Sequence, residues 1–488
     1  MNYFDEYYAR KGELDLIRQV HYVPTVAEYL EQLTQSWNGR VALMDENGVQ
    51  LTYEQLVHRV ACRRTLLLQK VQPGQNIGIW DVNSIDAVEL FLAAATCGCT
   101  SVMLPAQLDE TGIVRSCARF DIALLAVGDA FMGKCGGVTV PVMKAGETAD
   151  TETAPVPCEK TTPCTIFFTG GTTGIPKGVL LNQGAVMRGT YNGTYGMFLG
   201  DSTVATLPLT HVFGMIFGML SALMAGEKVM VCSQVPHLFG IMPQFKPEVM
   251  VLVPGMADLL LNVARMKGPG LLGGRLKHII CGGAPIPPRL VRAFSELGVQ
   301  MDCGYGLTET ANLVAGNFDN NTNPGMVGAI FPDQEVKLVD GEVWVKGDLL
   351  FDGYYKDPAA TAACMEDGWF KTGDLATIRE SDGFMTIVGR IKNLILLPNG
   401  ENVSPEEVEE AFYRSLYVQD CLAKEGDLNG TPVIALEVLP IPGKNEEDVM
   451  ADLKRINATL PTTMQVSKFI LRKEDFKKTG ALKIARNQ

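Results

Sequence analysis

Histidine is scarce in this sequence, and its cysteines form no framework. The five histidines (His21, His58, His211, His237 and His278) stand far apart among 488 residues. The twelve cysteines include no CxxC pair. That usage argues against a zinc site and suits a reducing cytoplasm. Nor is there an apolar run of the roughly 20 residues that a bilayer span needs, so no transmembrane segment is expected. The most apolar stretch, 212–225, reads as a buried helix with glycine and methionine at close contacts. The opening Met1-Asn2-Tyr3-Phe4-Asp5-Glu6 lacks the basic-then-apolar order of a signal peptide. Positive charge is in the minority: 42 Lys and Arg against 55 Asp and Glu leave a formal net charge of −13. A nucleic-acid partner or an anionic membrane surface is therefore disfavoured. The exception is 467–488, with seven Lys and Arg against two Asp and Glu. It is either a solvated basic tail or a segment that meets an anionic ligand.

What is present is the composition of a folded protein, 47% hydrophobic and 20% charged, in a chain long enough for two to four domains. Strand-like runs at Asn76–Trp80, Ser101–Leu104, Lys228–Cys232, Val249–Val253 and His278–Cys281 alternate with helical patterns at Ser84–Ala95 and Gly255–Met266. Strands separated by helices predict layered α/β structure around parallel sheets. From Glu335 the pattern changes to short alternating segments, Glu335–Val339, Glu342–Lys346 and Phe384–Val388, split by the Asp-Gly turns Asp340-Gly341 and Asp382-Gly383. That reads as a smaller antiparallel or β-barrel-like part, 331–389. A boundary follows near Gly389-Arg390. Beyond it come a hairpin (Leu394–Leu397, the turn Asn399-Gly400, Val403) and a helix capped by Ser404-Pro405-Glu406-Glu407. Val408, Ala411, Phe412 and Leu416 fall on one face of that helix. A strand at Val433–Val438 and a helix near Glu446–Leu460 complete a small α+β unit.

One segment stands out chemically. Thr169-Gly170-Gly171-Thr172-Thr173-Gly174-Ile175-Pro176-Lys177-Gly178 follows the apolar strand Thr165–Phe168. Glycines let successive backbone N–H groups converge on an anion, threonines add hydroxyl donors and a lysine adds charge. The spacing is neither that of a Walker loop nor that of a dinucleotide fingerprint. Alone it indicates a site for something anionic, or an ordinary flexible loop.

With four further blocks in order, this loop resembles the signature of the adenylate-forming superfamily, the AMP-binding acyl-CoA synthetases and acid–CoA ligases. The blocks are Cys281-Gly282-Gly283-Ala284-Pro285 with Gly304-Tyr305-Gly306-Leu307-Thr308-Glu309-Thr310; Gly341–Gly347 with Gly353-Tyr354-Tyr355 and Gly368-Trp369-Phe370-Lys371-Thr372-Gly373-Asp374-Leu375; Gly389-Arg390-Ile391-Lys392-Asn393 with Gly400–Glu407; and Lys478–Arg486. The resemblance runs from about Thr52 to Arg486. It implies a large N-terminal domain, 1–389, of layered α/β subdomains, and a small mobile α+β C-terminal domain, 390–488, with its hinge at 390–393.

The roles that the resemblance implies fall on these residues. ATP contacts fall to Thr169, Gly170, Gly171, Thr172, Thr173, Gly174 and Lys177 of the loop, to Gly283, Ala284, Tyr305 and Gly306, and to Asp374 and Arg390. Tyr305 stacks near adenine. Asp374 accepts the ribose hydroxyls, a task that suits an acceptor-only carboxylate. Thr308 and Glu309 belong to the catalytic set, and Glu309 holds Mg²⁺ on the phosphates, as a carboxylate suits a hard cation. Lys483 bridges the substrate carboxylate and the α-phosphate. Gly400 approaches the pantetheine arm of coenzyme A, and Lys392 is the hinge. Gly282, Gly304 and His211 line the acyl pocket; His211 either gates it, stacks on the acyl group, or is a core histidine. Two positions depart from the family pattern: Asn393 replaces an aspartate and Leu482 a glycine.

The implied reaction uses ATP, Mg²⁺ and coenzyme A to turn a carboxylic acid into acyl-AMP and then a thioester. The apolar, Met-rich run Met215–Met224, with no aspartate to pair an α-amino group, points to a fatty or aryl acid. Two other readings stay open: transfer to the thiol of an acyl carrier protein, and a silent paralogue that only binds acyl or nucleotide ligands.

Overall fold

The computed structural model of the chain describes residues 2–169, 177–397, 402–428, 431–477, 484 and 486. Among them, two mixed sheets with parallel centres carry most of the core. One runs from edge to edge through Gly353–Tyr354, Gly178–Asn182, Pro163–Phe168, Thr100–Met103, Asn76–Trp80, Ile122–Val127 and Val142–Lys144. The other runs through Ala329–Ile330, Asn312–Asn317, Gln300–Leu307, His278–Cys281, Val249–Leu252, Ser202–Ala205, Lys228–Val231, Val41–Asp45 and Gln50–Thr52. Asn76–Trp80, Val249–Leu252 and His278–Cys281 are buried along their whole length, as strands covered on both faces must be. Helix Ile85–Thr96 starts where Ser84 Oγ accepts from Ala87 N–H at 3.0 Å, and helix Pro254–Lys267 starts on a proline that has no donor to leave unpaired. The α/β layering read from the alternating pattern is the architecture found.

The apolar stretch 212–225 differs from a plain buried helix. Phe213–Ser221 winds as a wide helix with i→i+5 bonds before Ala222–Met224 tightens. Side chains from two earlier helices, Val26–Trp37 and Tyr53–Lys70, satisfy carbonyls at its end. Tyr29 OH donates to Leu220 O (2.9 Å), Tyr53 OH to Leu223 O (3.0 Å) and Trp37 Nε1 to Met224 O (2.9 Å). Hydrophobicity alone reveals burial but not winding, and these donors come from residues distant in sequence.

The antiparallel part consists of Gln334–Val339, Glu342–Gly347, Trp369–Ile378 and Met365–Glu366, with Met385–Arg390 also pairing Trp369–Ile378. Asp340 and Gly341, both at positive φ (50° and 83°), close its first hairpin. Beyond it, Val418–Leu428, Thr431–Pro440 and Lys468–Leu471 form a separate sheet. Helices Pro405–Phe412 and Glu446–Asn457 cover it through Val408, Phe412, Val449 and Leu453. Ser404 caps its helix by accepting from Glu407 N–H, and its Oγ also donates to Val388 O at 2.6 Å. Leu416, expected on the buried face of this helix, lies past the helix end and is 66% exposed; the helical period stops at Phe412. Among the described residues no helix is long and apolar enough to cross a membrane.

Glu227, just ahead of Lys228–Val231, is fully buried. Neither of its carboxyl oxygens has a hydrogen-bond partner among the described residues. Burial pushes its pKa well above the ordinary 4.5, and the charges of Asp201 and Glu248 push it further. The fold therefore favours the neutral acid. The unfolded chain ionises at the ordinary value, so this group's contribution is fullest below that value. It falls as pH rises, by up to about 1.4 kcal/mol per pH unit until the folded group ionises. Urea unfolding of Glu227→Gln and wild type, compared between about pH 5 and 8, should show a gap that widens with pH in favour of the variant. A pH-independent gap would contradict this reading.

Candidate functional site

The site lies where strands of the larger sheet end and the antiparallel part packs against them. Gln300–Leu307 pairs in parallel with His278–Cys281 through Cys303, then continues alone into antiparallel pairing with Asn312–Asn317. Gly282, Gly283 and Ala284 follow the carboxyl end of the first strand, and Gly304–Thr310 extends the second. The carboxyl ends of parallel strands are where open α/β sheets take ligands.

Two glycines here answer to close packing. A Cβ on Gly306 would lie 1.9 Å from Asn312 O, and one on Gly282 would lie 2.9 Å from Phe213 Cζ. Phe213 begins the wide helix, and its ring stacks on Phe217 at 5.3 Å. Gly282 thus sets the spacing between the strand end and an aromatic wall. Gly304 is similarly crowded by Leu313 Cδ2 at 2.8 Å.

Asp374 is 2% exposed. Tyr305 OH donates to its Oδ2 at 2.7 Å. Arg390 meets it with two nitrogens, Nε to Oδ1 at 2.5 Å and Nη2 to Oδ2 at 3.3 Å. Asp374 and Arg390 face each other across the Trp369–Ile378 and Met385–Arg390 strand pair. Thr372 Oγ1 accepts from Asp374 N–H at 3.0 Å and donates to Val343 O at 2.8 Å. Glu342 Oε1 accepts from Gly373 N–H at 2.8 Å. Burial, reinforced by the Asp374 charge, raises the Tyr305 phenol well above its ordinary value, so it acts as a donor. Lys392, two residues past Arg390, is exposed. Partial desolvation of its ammonium, then the Arg390 charge, lower its pKa, against the pull of Asp374, Glu309 and Glu406.

A second group forms around Glu309, which sits in the single turn Thr308–Thr310 and is 8% exposed. Tyr354 OH donates to Glu309 Oε1 at 2.8 Å. Lys177 Nζ lies 4.4 Å from the centre of the Tyr354 ring. Tyr354 is fixed by pairing with Val179, and Gly353 by pairing with Leu180. Burial, then the Glu309 charge, raises the Tyr354 phenol, so it too is a donor. Thr169 N–H donates to Lys177 O at 3.1 Å, and Phe168 pairs with Gly178. The two ends of the glycine/threonine loop are therefore held together, with Lys177 beside Tyr354. The Arg390 guanidinium feels the charges of both Asp374 and Glu309, so the two groups share one electrostatic site.

The family model for AMP-binding enzymes matches residues 30–355. The chain belongs to the AMP-binding enzyme family. A long-chain-fatty-acid–CoA ligase of Mycobacterium bovis is 32% identical over 303 residues, covering 51% of this chain and 50% of that protein. The chain thus spans about half the length of that curated relative. A feruloyl-CoA synthase of an Amycolatopsis species is 28% identical over 419 residues, covering 79% of this chain and 84% of that protein. Among solved structures, an anthranilate CoA ligase in complex with anthranoyl-AMP superposes with a TM-score of 0.85 at 18% identity, over 96% of this chain and 97% of that one. ATP-bound MatB from Rhodopseudomonas palustris superposes with a TM-score of 0.83 at 21% identity, over 95% and 98%. At these identities the structural likeness is one of fold.

Of the residues that the motifs single out in this AMP-binding enzyme, Thr169, Lys177, Gly282, Gly283, Ala284, Gly304, Tyr305, Gly306, Thr308, Glu309, Asp374, Arg390 and Lys392 can be located. His211 lies in the turn leading into the wide helix, where its N–H donates to Pro208 O at 3.0 Å and its carbonyl accepts from Met215 N–H at 2.9 Å. Gly170, Gly171, Thr172, Thr173, Gly174, Gly400 and Lys483 lie outside the described residues. Tyr354, Thr372 and Glu342 were given no role by sequence, although each stands inside a quoted block. Their tasks are to orient Glu309, Asp374 and Gly373, and such support shows only in three dimensions.

Removing Arg390 would leave Asp374 buried with its main partner gone. Arg390→Ala should cost about 1–3 kcal/mol in urea unfolding, less than a fully buried pair because the arginine's side chain is 40% exposed. Adding Asp374→Asn should recover part of that loss; strictly additive losses would show that the pair is not coupled.

Proposed function

We propose that this protein activates a carboxylic acid with ATP to give acyl-AMP and pyrophosphate, then passes the acyl group to the thiol of coenzyme A. The observation that carries the proposal is the convergence of Lys177, Tyr354, Glu309, Arg390, Asp374 and Tyr305 at the carboxyl ends of the parallel strands. A cation, a carboxylate and a buried acceptor stand together where an adenosine triphosphate needs charge, metal and ribose contacts. The relatives' activities, long-chain-fatty-acyl and feruloyl CoA ligation, agree in reaction type.

In the first step the acid's carboxylate attacks the α-phosphorus and pyrophosphate leaves. The nucleophile is already anionic, so no general base is needed. The obstacle is bringing two anions together, and charge neutralisation with positioning lowers it. Lys177, the donors of the loop and Lys483 supply positive charge and hydrogen bonds. Asp374 accepts from the ribose hydroxyls while Tyr305 and Arg390 hold it in place. Glu309 fits a Mg²⁺ site: Tyr354 orients its Oε1, and one carboxylate suffices for an ion that is otherwise held by phosphates and water. Mg²⁺ there would neutralise phosphate charge. In the second step the thiol of coenzyme A gives up its proton to solvent, its sulfur bonds to the acyl carbon, and the bond from that carbon to the phosphate oxygen breaks as AMP leaves with the electron pair.

The pocket chemistry favours a fatty or aryl acid. Phe213 lies against the Gly282 turn, and Met215 and Met219 of the wide helix are buried. We propose further that 1–389 and 390–488 are two domains hinged at Lys392, presenting Lys483 in step one and the Gly400 loop in step two. Its cysteine usage fits work in the cytoplasm.

The test is pyrophosphate release from Mg·ATP across a panel that includes palmitate, ferulate and indole-3-acetate, followed by mass-spectrometric detection of the CoA thioester. At least one acid should elicit both products. Lys483→Ala should lower adenylation by roughly 100-fold or more while leaving thioester formation from supplied acyl-AMP largely intact. Release by none of the acids would sink the proposal, and equal loss of both steps would sink the two-domain cycle.

A further inference from the structure

Helix Pro405–Phe412 presents two carboxylates to the end of the chain. Glu409 is 8% exposed. Its Oε1 accepts from Ala423 N–H at 2.8 Å and from Arg486 Nη1 at 3.0 Å. Its Oε2 accepts from Arg486 Nη2 at 2.8 Å. Such a two-point pair fixes direction as well as distance. Arg486 Nη1 also donates to Ala423 O at 3.3 Å, and Nη2 lies 3.0 Å from Glu406 Oε1. Two residues earlier, Ile484 packs onto Leu422, Leu439 and Phe476.

Glu406 has a second neighbour. Asn393 Nδ2 donates to the same Oε1 at 2.6 Å, while Ser404 Oγ lies 3.2 Å from Oε2. Asn393 is the position where the family pattern has an aspartate. An aspartate there would set a second carboxylate against Glu406, whereas asparagine supplies a donor. One carboxylate thus joins the chain end to the connection that follows Arg390.

We propose that Arg486 is a positioning residue for acid activation: it mounts the segment carrying Lys483 on helix Pro405–Phe412 through Glu409 and Glu406, and Asn393 ties the connection to the same mount. In sequence Lys483 stands three residues before Arg486 and one before Ile484, so both anchors are its near neighbours along the chain. This inference rests on the adenylation reading above.

Arg486→Ala, Arg486→Lys and Asn393→Asp should be compared with wild type in three measurements. These are pyrophosphate release with whichever panel acid wild type uses, thioester formation from the corresponding supplied acyl-AMP, and hydrogen exchange of the peptide following Leu471. Arg486→Ala should lower kcat for pyrophosphate release by roughly 10- to 100-fold with little change in KM for ATP. It should leave the thioester step within about twofold, and the terminal peptide should lose protection. Arg486→Lys should fall between, because an ammonium lacks the two-point fork, and Asn393→Asp should loosen the same peptide. Equal losses in both half-reactions, or unchanged protection in Arg486→Ala, would overturn the proposal. A wild-type protein that activates none of the acids overturns the adenylation reading and the catalytic part of this one; the exchange measurement then decides the mount independently.

Discussion

The structure turns on one buried carboxylate that must be surrounded by donors. Asp374 cannot donate, and it cannot be left charged and unpaired at 2% exposure. Tyr305 comes to it from the larger parallel-centred sheet, and Arg390 comes from the end of the antiparallel part. The requirement of one residue therefore locks the larger sheet to the antiparallel part. It also fixes Arg390, the last residue of Met385–Arg390. Because Arg390 is held, Ile391–Asn393 and the carboxylates of helix Pro405–Phe412 begin from a defined place.

The phosphate side of the site follows a similar logic with opposite charge. Lys177 is brought to Tyr354 by the pairing of Gly178–Asn182 with Gly353–Tyr354, and Tyr354 in turn holds Glu309. A cation and a carboxylate are kept close yet separated by a ring, so neither neutralises the other outright. Both remain available to a ligand that carries negative charge and a divalent cation. The wide helix at Phe213–Ser221 and the crowded Gly282 meet in an apolar wall.

Much of this was legible in the sequence. The alternation of strand and helix patterns marked the parallel centres, because strands such as Val249–Leu252 are apolar throughout and need cover on both faces. The Asp340-Gly341 turn marked the antiparallel part. Tyr305, Glu309, Asp374 and Arg390 were visible through their motif blocks, and the structure places them in one electrostatic neighbourhood. What was not legible depends on partners remote in sequence. The winding of Phe213–Ser221 leaves no mark in hydrophobicity, and its neighbouring donors Tyr29, Trp37 and Tyr53 are connected to it by no local pattern. Leu416 fits the helical period but lies past the helix end. The tasks of Tyr354, Thr372 and Glu409 are to hold other residues, and a supporting hydrogen bond leaves no spacing signal of its own.

The central claim is that one site joins a carboxylate to the α-phosphate of ATP before any thiol is involved. Isotope exchange tests it most directly, with labelled pyrophosphate, Mg·ATP and a panel acid incubated without coenzyme A. Label should appear in ATP only when the acid is present, and that appearance should be lost in Asp374→Ala. Label that enters ATP without an acid, or only once coenzyme A is added, would contradict it.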